Sequence, residues 1–111
     1  MISLGETAPL FIEYYYIIYR GAFFMIVKEV TVENQVGLHA RPATFFIQKA
    51  NEYKCAIWVE KDERRVNAKS LLGVLSLGIV GGTTIQLIAD GVDEAEAIDG
   101  LVRLIEFGFN E

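Results

Sequence analysis

The sequence has few of the residues on which disulfide, metal and hydrolytic sites depend. It contains one cysteine, Cys55, and one histidine, His39, in 111 residues. A single cysteine excludes a disulfide within the chain and a cysteine-based zinc site. We interpret Cys55 as a buried core residue, because it belongs to a strand-like run at 55–59. Without paired carboxylates in a pocket motif or a metal-binding set, a hydrolytic enzyme is disfavoured, and we predict no metal site and no cofactor.

Concentrated positive charge and long apolar runs are also missing. The ten lysines and arginines are scattered among fifteen aspartates and glutamates, which gives a net charge of −5. No basic stripe could follow a phosphate backbone, so we expect no direct nucleic-acid partner. The apolar run 10–19 is too short to span a bilayer and includes Glu13, and no basic segment precedes it. We therefore expect no membrane insertion, and a cytoplasmic location that also suits one free cysteine.

The chain has the length and composition of one globular domain, with 52% hydrophobic residues. Residues 1–24 are different in kind, because their apolar part is dense in aromatic and β-branched residues. We expect them to form an N-terminal extension, which is either a strand with exposed aromatics or sequence upstream of the native start. The domain itself is expected at 25–111, because hydrophobic alternation begins just after Met25.

Hydrophobic periodicity then predicts seven elements in the order βαββαβα. Strands are expected at 26–33, 55–60, 64–66 and 83–89, with turns at 61–63 and 81–82. The first helix follows Gly37 and carries Pro42 in its first turn, and a short helix at 71–77 ends at Gly78. Asp93 and Glu96 indicate a capping box for the last helix. The predicted apolar faces comprise Ala40, Ala43, Ile47 and Ala50 in the first helix, and Ile98, Leu101, Val102, Ile105 and Phe109 in the last.

This order predicts an α+β fold, an open-faced sandwich in which the helices cover one face of a four-stranded antiparallel sheet. His39 then falls at or next to the N-cap of the first helix. Unpaired N–H groups and the helix dipole favour a phosphoryl group there, and Arg41 offers a planar donor fork to its oxygens. The same positive field keeps the imidazole neutral and nucleophilic. Taken alone, however, a histidine at a helix start is more often a capping or surface residue.

Three segments resemble, in the same order, three signatures of the HPr family, whose members are the histidine-phosphorylated carriers of the bacterial sugar phosphotransferase system. Residues 37–44 (GLHARPAT) resemble its phosphorylation site. Residues 66–78 (VNAKSLLGVLSLG) resemble the regulatory-serine segment of the low-GC Gram-positive type, and residues 89–95 (ADGVDEA) resemble the usual start of the last helix. The resemblance covers nearly all of 25–111.

The resemblance implies that His39 accepts a phosphoryl group on Nδ1 from enzyme I and passes it to the IIA domains of sugar permeases. The protein is then a carrier and not itself an enzyme. Arg41 and the backbone N–H groups of Ala40 and Arg41 are the implied phosphoryl-binding groups. Ser70 is the implied target of an HPr kinase/phosphorylase, and its phosphorylated form is a candidate ligand of a catabolite repressor protein. From the residues alone, Ser70 is a helix N-cap, and the two interpretations are compatible.

The resemblance also implies a partner-binding surface made of Phe45, Leu71, Leu72 and Leu75. Core packing is the competing interpretation, and it must hold for one or two of them. A regulatory HPr-like paralogue acting by protein contact in catabolite repression is the alternative function. The Crh group of such paralogues keeps the serine but lacks the histidine, and nitrogen-branch HPr proteins keep the histidine but usually lack the serine pattern. A purely structural α+β domain is the third possibility.

Overall fold

The computed structural model of the protein describes residues 14–19, 23–34, 37–38 and 40–109. From the second strand onward, the elements follow the predicted order βαββαβα. In chain order, the strands and helices are β1 (Tyr14–Tyr19), β2 (Phe23–Val32), α1 (Ala40–Ala50), β3 (Ala56–Lys61), β4 (Arg64–Asn67), α2 (Leu71–Ser76), β5 (Thr83–Asp90) and α3 (Glu94–Glu106). No helix in this described part is long and apolar enough to cross a membrane.

The described strands form one antiparallel sheet in the order β1-β2-β5-β3-β4. The predicted four-stranded antiparallel sheet is therefore confirmed, and β1 adds a fifth strand at its edge. The ladder between β1 and β2 runs from the pair Tyr14–Lys28 to the pair Tyr19–Phe23. A strand was one of the two interpretations of residues 1–24, and the structure contains one at 14–19.

The core lies between the sheet and its helical layer. In β2, Ile26, Val30 and Val32 belong to the core, whereas Glu29 and Thr31 between them are exposed, as the period of two requires. Helix α3 packs against β2 and β5, and α1 packs against α2 and α3. The predicted apolar stripe of the last helix is confirmed for Ile98, Leu101, Val102 and Ile105, which are all buried. Phe109 is buried too, but the prediction that it belongs to the helix is wrong, because α3 ends at Glu106 and Phe109 lies beyond it with a φ of +66°.

The predicted core face of the first helix is partly wrong. Ala43 and Ala50 are buried as expected, and Ile47 is partly buried against the core. Ala40 is exposed, because it is the first residue of α1 and no neighbouring layer covers its methyl group. Phe46 is fully buried instead, and it completes a stripe with Ala43 and Ala50 at spacings of three and four residues.

The predicted capping box at the start of the last helix is also wrong. Asp93 is the N-cap of α3 but makes no side-chain cap hydrogen bond. Its carboxylate accepts instead from the N–H groups of Lys54 and Cys55, at 2.8 and 2.9 Å. Glu94, and not Glu96, reaches back to a backbone N–H, that of Gly91. One carboxylate thus satisfies two donors of the loop before β3, which outweighs a single bond at its own helix end.

The interpretation of Cys55 as a buried core residue is confirmed. The residue lies just before β3 and is only 3% exposed. Burial, reinforced by a hydrogen bond to Asp93, raises the pKa of its thiol to about 12. The thiolate form is therefore suppressed at neutral pH, and the side chain acts as a small apolar residue.

Candidate functional site

The site predicted from the sequence is centred on His39, which lies outside the described residues. The predicted position of its ring at the helix N-cap is therefore an expectation that the structure leaves open. The described residues do define both sides of it. Leu38 precedes it at the end of a loop, and Ala40 follows it as the first residue of α1.

The chain that leads to His39 is anchored at Gly37 and Leu38. The N–H of Gly37 donates to the carbonyl of Asn34 at 3.2 Å, and the Asn34 side-chain amide donates back to the Gly37 carbonyl at 2.9 Å. Leu38 is buried, and its N–H donates to the carbonyl of Ile79 at 2.9 Å. Gly37 has a φ of +64° and lies so close to Ile79 and Val80 that a Cβ would collide with their backbone atoms. The loop therefore depends on a distant segment of the chain, residues 79–80.

That segment follows α2 and is itself held in place. Ile79 is 1% exposed, and the N–H of Gly82 donates to the carbonyl of Val32, the last residue of β2, at 2.6 Å. The predicted turn at Gly81 and Gly82 is present. The end of β2, the loop before His39 and the chain after α2 are thus joined by backbone hydrogen bonds.

The first turn of α1 is suited to an anionic group. Ala40 and Arg41 are exposed there, and the turn contains no acidic side chain. The N–H groups of a first helical turn have no partner within the helix, and the positive end of the dipole lies beside them. Pro42 has no N–H to leave unpaired, which explains how a proline is tolerated at this position.

Arg41 lies over an aromatic ring one turn along the helix. Its guanidinium carbon is 5.9 Å from the centroid of the Phe45 ring, which is within range of a cation–π interaction. Phe45 lies on the C-terminal side of Arg41, and His39 precedes it. The Arg41 side chain is exposed, so its guanidinium is accessible from solvent while it lies over this ring.

Ser70 is the N-cap of α2, as predicted. Its backbone is extended, with φ −109° and ψ 116°, and its Oγ accepts from the N–H of Gly73 at 3.0 Å. The neighbouring Lys69 extends to the loop between α1 and β3, where its Nζ donates to the carbonyl of Tyr53 at 2.6 Å. The capping role is thus a structural fact, and it leaves the regulatory role open, since a phosphorylated serine can also stand at a helix start.

The predicted partner-binding surface divides into exposed and packed residues. Leu72 is 79% exposed and Leu71 is 42% exposed, whereas Val74 on the same helix is fully buried. Phe45 and Leu75 are partly buried and pack against the core. Core packing therefore holds in part for Phe45 and Leu75, and partner binding stays a prediction for the exposed pair, Leu71 and Leu72.

Sequence reasoning missed two cations at the far end of α2. Lys61 Nζ donates to the carbonyl of Leu77 at 3.0 Å, and Arg64 Nη1 donates to the carbonyl of Ser76 at 3.0 Å. The sequence indicated only a charged turn at this hairpin. Lys61 lies in that predicted turn and Arg64 directly after it, and this spacing is the signal that could have suggested a common target.

Other sites are not evident in the part of the chain that the structure describes. No cluster of histidine, cysteine and acidic residues there could hold a metal ion. A cleft of about 470 Å³ between β2, β5 and the end of α3 is lined by residues such as Lys28, Glu33 and Ile105, and by no predicted site residue. The described residues of the predicted site lie in α1 and α2 and at the N-cap of α2.

The fold and this surface define a class of protein. An antiparallel sheet covered by helices, with a histidine directly before the first helix and a serine-capped second helix, is typical of the small phosphocarrier domains. The family model described as "PTS HPr component phosphorylation site" matches residues 26–106. The chain therefore belongs to the HPr family of the phosphotransferase system.

Similar proteins within the family carry two different names. The chain is 49% identical over 82 residues to the HPr-like protein Crh of Halalkalibacterium halodurans, which covers 74% of this chain and 98% of that protein. It is 42% identical over 87 residues to the phosphocarrier protein HPr of Neisseria meningitidis, with 78% and 98% covered. The crystal structure of HPr-C-His from Thermoanaerobacter tengcongensis superposes with a TM-score of 0.75 at 49% identity, covering 77% of this chain and 96% of that one.

Proposed function

We propose that this protein is a cytoplasmic phosphocarrier, formed by residues 25–111, with 1–24 as an extension. His39 accepts a phosphoryl group on Nδ1 from phospho-enzyme I and passes it to the IIA domains of sugar permeases. One observation carries the proposal. The only histidine of the sequence stands in the family's phosphorylation-site segment, directly before a helix whose first turn has no acidic side chain. The protein holds the group transiently and catalyses no separate reaction.

The backbone N–H groups of Ala40 and Arg41 receive the phosphoryl oxygens in this proposal. They are unpaired within the helix, and the dipole favours an anion beside them. The Arg41 guanidinium leaves Phe45 and binds the same oxygens through its fork. The charge that develops during transfer is then met by donors that are already in place.

Ser70 adds regulation by an HPr kinase/phosphorylase. Its position at the start of α2 places a new phosphate next to the exposed Leu71 and Leu72. Enzyme I and the IIA domains dock on this pair, with Phe45 and Leu75 at the base of the surface. The phosphate opposes docking of enzyme I through charge and creates a ligand for a catabolite repressor protein.

A regulatory paralogue of the Crh kind is the alternative, and the 49% identity to such a protein supports it. The same identity to an HPr structure means that overall similarity does not separate the two roles. A single residue separates them, because His39 is present here and the Crh group lacks it. The carrier role is therefore the better supported of the two.

Labelling by enzyme I and phosphoenolpyruvate tests the carrier role. We expect one acid-labile, base-stable phosphoryl group on the wild-type protein, none on His39→Ala, and full labelling of Ser70→Ala as the matched control. A phosphoryl group that persists in His39→Ala would contradict the assignment of the site. A wild-type protein that takes no label would leave the regulatory alternative.

Labelling by an HPr kinase with ATP tests the regulatory role. We expect phosphorylation of Ser70 and none of Ser76, because only Ser70 lies at the start of α2. Ser70→Asp should accept a phosphoryl group from enzyme I at a lower initial rate than Ser70→Ala at matched concentration. Equal rates, with no kinase labelling, would leave Ser70 as a helix cap alone.

A further inference from the structure

The β3–β4 hairpin holds the C-terminal end of α2 through two cations, Lys61 and Arg64. Lys61 Nζ binds the carbonyl of Leu77 at 3.0 Å and lies 3.5 Å from that of Gly78. Arg64 binds Ser76 twice, at the carbonyl and at Oγ, at 3.0 and 3.2 Å. The last carbonyls of any helix lack intrahelical partners and form its negative end, so both cations bind where the field favours them.

Helix α2 needs such support because it has only six residues. A helix of this length is unstable by itself, since its few hydrogen bonds do not offset the entropy lost on nucleation. Ser70 caps its first turn, and the fully buried Val74 attaches its middle to the core. Leu71 and Leu72 are exposed and lie outside the core cluster, so their orientation depends on how the whole helix is held.

A hydrogen-bond chain connects one of the two cations, Arg64, to the opposite end of the helix. Arg64 Nη2 donates to Ser76 Oγ, which itself donates to the carbonyl of Gly73 at 2.6 Å. The N–H of Gly73 donates in turn to Ser70 Oγ. The hairpin therefore contacts the last turn of α2 directly and its N-cap through two intermediates.

We propose that Lys61 and Arg64, together the hairpin clamp, are positioning residues that orient α2 for docking of enzyme I. This inference rests on the proposed carrier function. The clamp holds Leu71 and Leu72 in one geometry, so that enzyme I does not have to order a mobile helix when it docks. The conformational entropy of α2 is then lost during folding, and association does not carry that cost. The hydrogen bonds of the clamp all go to residues at the end of α2, namely Ser76, Leu77 and Gly78.

The hairpin supplies its own control residue. Asp62 and Glu63 form the turn with φ of 51° and 68°, and Lys61 and Arg64 are paired directly across it. Arg65, the next residue of β4, points to the hairpin itself and binds Glu60 Oε1 at 3.1 Å. Arg64 and Arg65 are thus adjacent arginines, of which only the first binds α2.

The test measures enzyme I kinetics and amide hydrogen exchange on full-length Arg64→Ala, Lys61→Met and Arg65→Ala. In the two clamp variants we expect the KM for the carrier to rise about three- to tenfold with kcat unchanged, and the Gly73, Val74 and Leu77 amides to exchange faster. Arg65→Ala should match the wild type in both measurements. The KM of Arg64→Lys should lie between those of Arg64→Ala and the wild type, because one ammonium can still reach the Ser76 carbonyl.

Several outcomes would overturn the inference. A KM in the clamp variants equal to that of Arg65→Ala, with an active wild type, would remove the positioning role and leave the carrier function intact. Faster amide exchange with unchanged KM would make the clamp a stabilising feature without a part in docking. A wild-type protein that enzyme I does not label would instead refute the carrier function, and the docking role with it.

Discussion

Arg41 places a cation in the first turn of α1, and its guanidinium lies over the ring of Phe45. An exposed cation–π contact contributes about 0.5–1 kcal/mol, which a phosphoryl dianion can readily outweigh with two charge-assisted hydrogen bonds. In the proposed carrier cycle, the guanidinium would lie over the Phe45 ring between transfers and leave it to bind the phosphoryl group. On this view Arg41 contributes more to transfer than to folding.

Replacing Arg41 tests that division. We expect Arg41→Ala to slow phosphoryl transfer by an amount on the order of 2–4 kcal/mol of barrier while the thermal transition moves little. Arg41→Lys keeps the charge and loses the planar donor fork, so its transfer rate should lie between those of the wild type and Arg41→Ala. The measurement is the single-turnover rate from phospho-enzyme I, and wild-type rates in Arg41→Ala would make Arg41 a solvated helix residue.

Gly37 acts through the backbone. Gly37 and Gly78 have similar φ values, +64° and +60°. Of these two glycines, only Gly37 would bring a Cβ into contact with other atoms, those of Ile79 and Val80. Gly78→Ala should therefore cost only the left-handed conformation, about 1–2 kcal/mol, and Gly37→Ala should cost clearly more. Urea unfolding of both variants measures the difference in stability. Equal losses of unfolding free energy would show that the loop moves to accommodate the Cβ without a further loss of stability.

At the scale of elements, α3 shows how a helix start can serve another segment. The N-cap carboxylate of Asp93 binds the N–H groups of Lys54 and Cys55 and so fixes the loop between α1 and β3. Hydrogen bonds to the charged form, that from Lys54 first, hold the pKa of Asp93 below its ordinary value of 3.8. A carboxyl group with a lowered folded pKa stabilises the fold above its unfolded pKa, and that contribution is lost as pH falls through the folded pKa.

The pH dependence of stability tests this element. We expect Asp93→Asn to be less stable than the wild type at neutral pH, with the difference shrinking as the pH falls below the ordinary carboxyl value of 3.8. Asp99→Asn is the control, because Asp99 is exposed on the same helix and pairs with Arg103 at its surface. The measurement is the urea midpoint across this range, and a difference that stays constant with pH would contradict the assignment.

At the scale of the whole molecule, the five-stranded sheet extends beyond the part that resembles the family. β1 pairs with Phe23–Lys28 of β2, whereas the ladder between β2 and β5 runs from Ile26 to Val32. The two ladders therefore share only three residues of β2. The hydrogen bonds that hold Gly37, Leu38 and Ser70 join them to segments other than β1.

Truncation separates the extension from the domain. Removal of residues 1–22 should lower the melting temperature, by about 4–8 °C for each kcal/mol that the ladder contributes, and leave labelling of His39 intact. Removal of residues 1–12 is the control, because it keeps β1. An unchanged melting temperature would show that β1 adds nothing to the fold, and a loss of labelling would place the domain boundary before residue 25.

The sequence by itself determined the features that depend on local spacing and composition. The order of elements from β2 onward, the buried stripe of α3, the N-cap role of Ser70 and the burial of Cys55 all follow from neighbouring residues. Periodicity of two or nearly four residues is a local property, so it can be predicted without knowing what packs against it. The segment around His39 could be singled out for the same reason, since its motif is contiguous.

Only the tertiary structure decided which distant groups meet. Asp93 binds residues thirty-eight and thirty-nine positions earlier, Leu38 binds Ile79, and Arg64 binds Ser76 across the layer boundary. These contacts depend on how the sheet, the helices and the loops pack, and no periodicity of the sequence encodes a partner at such a distance. The capping box at Asp93 was predicted wrongly for this physical reason: a local rule cannot weigh a local hydrogen bond against two long-range ones.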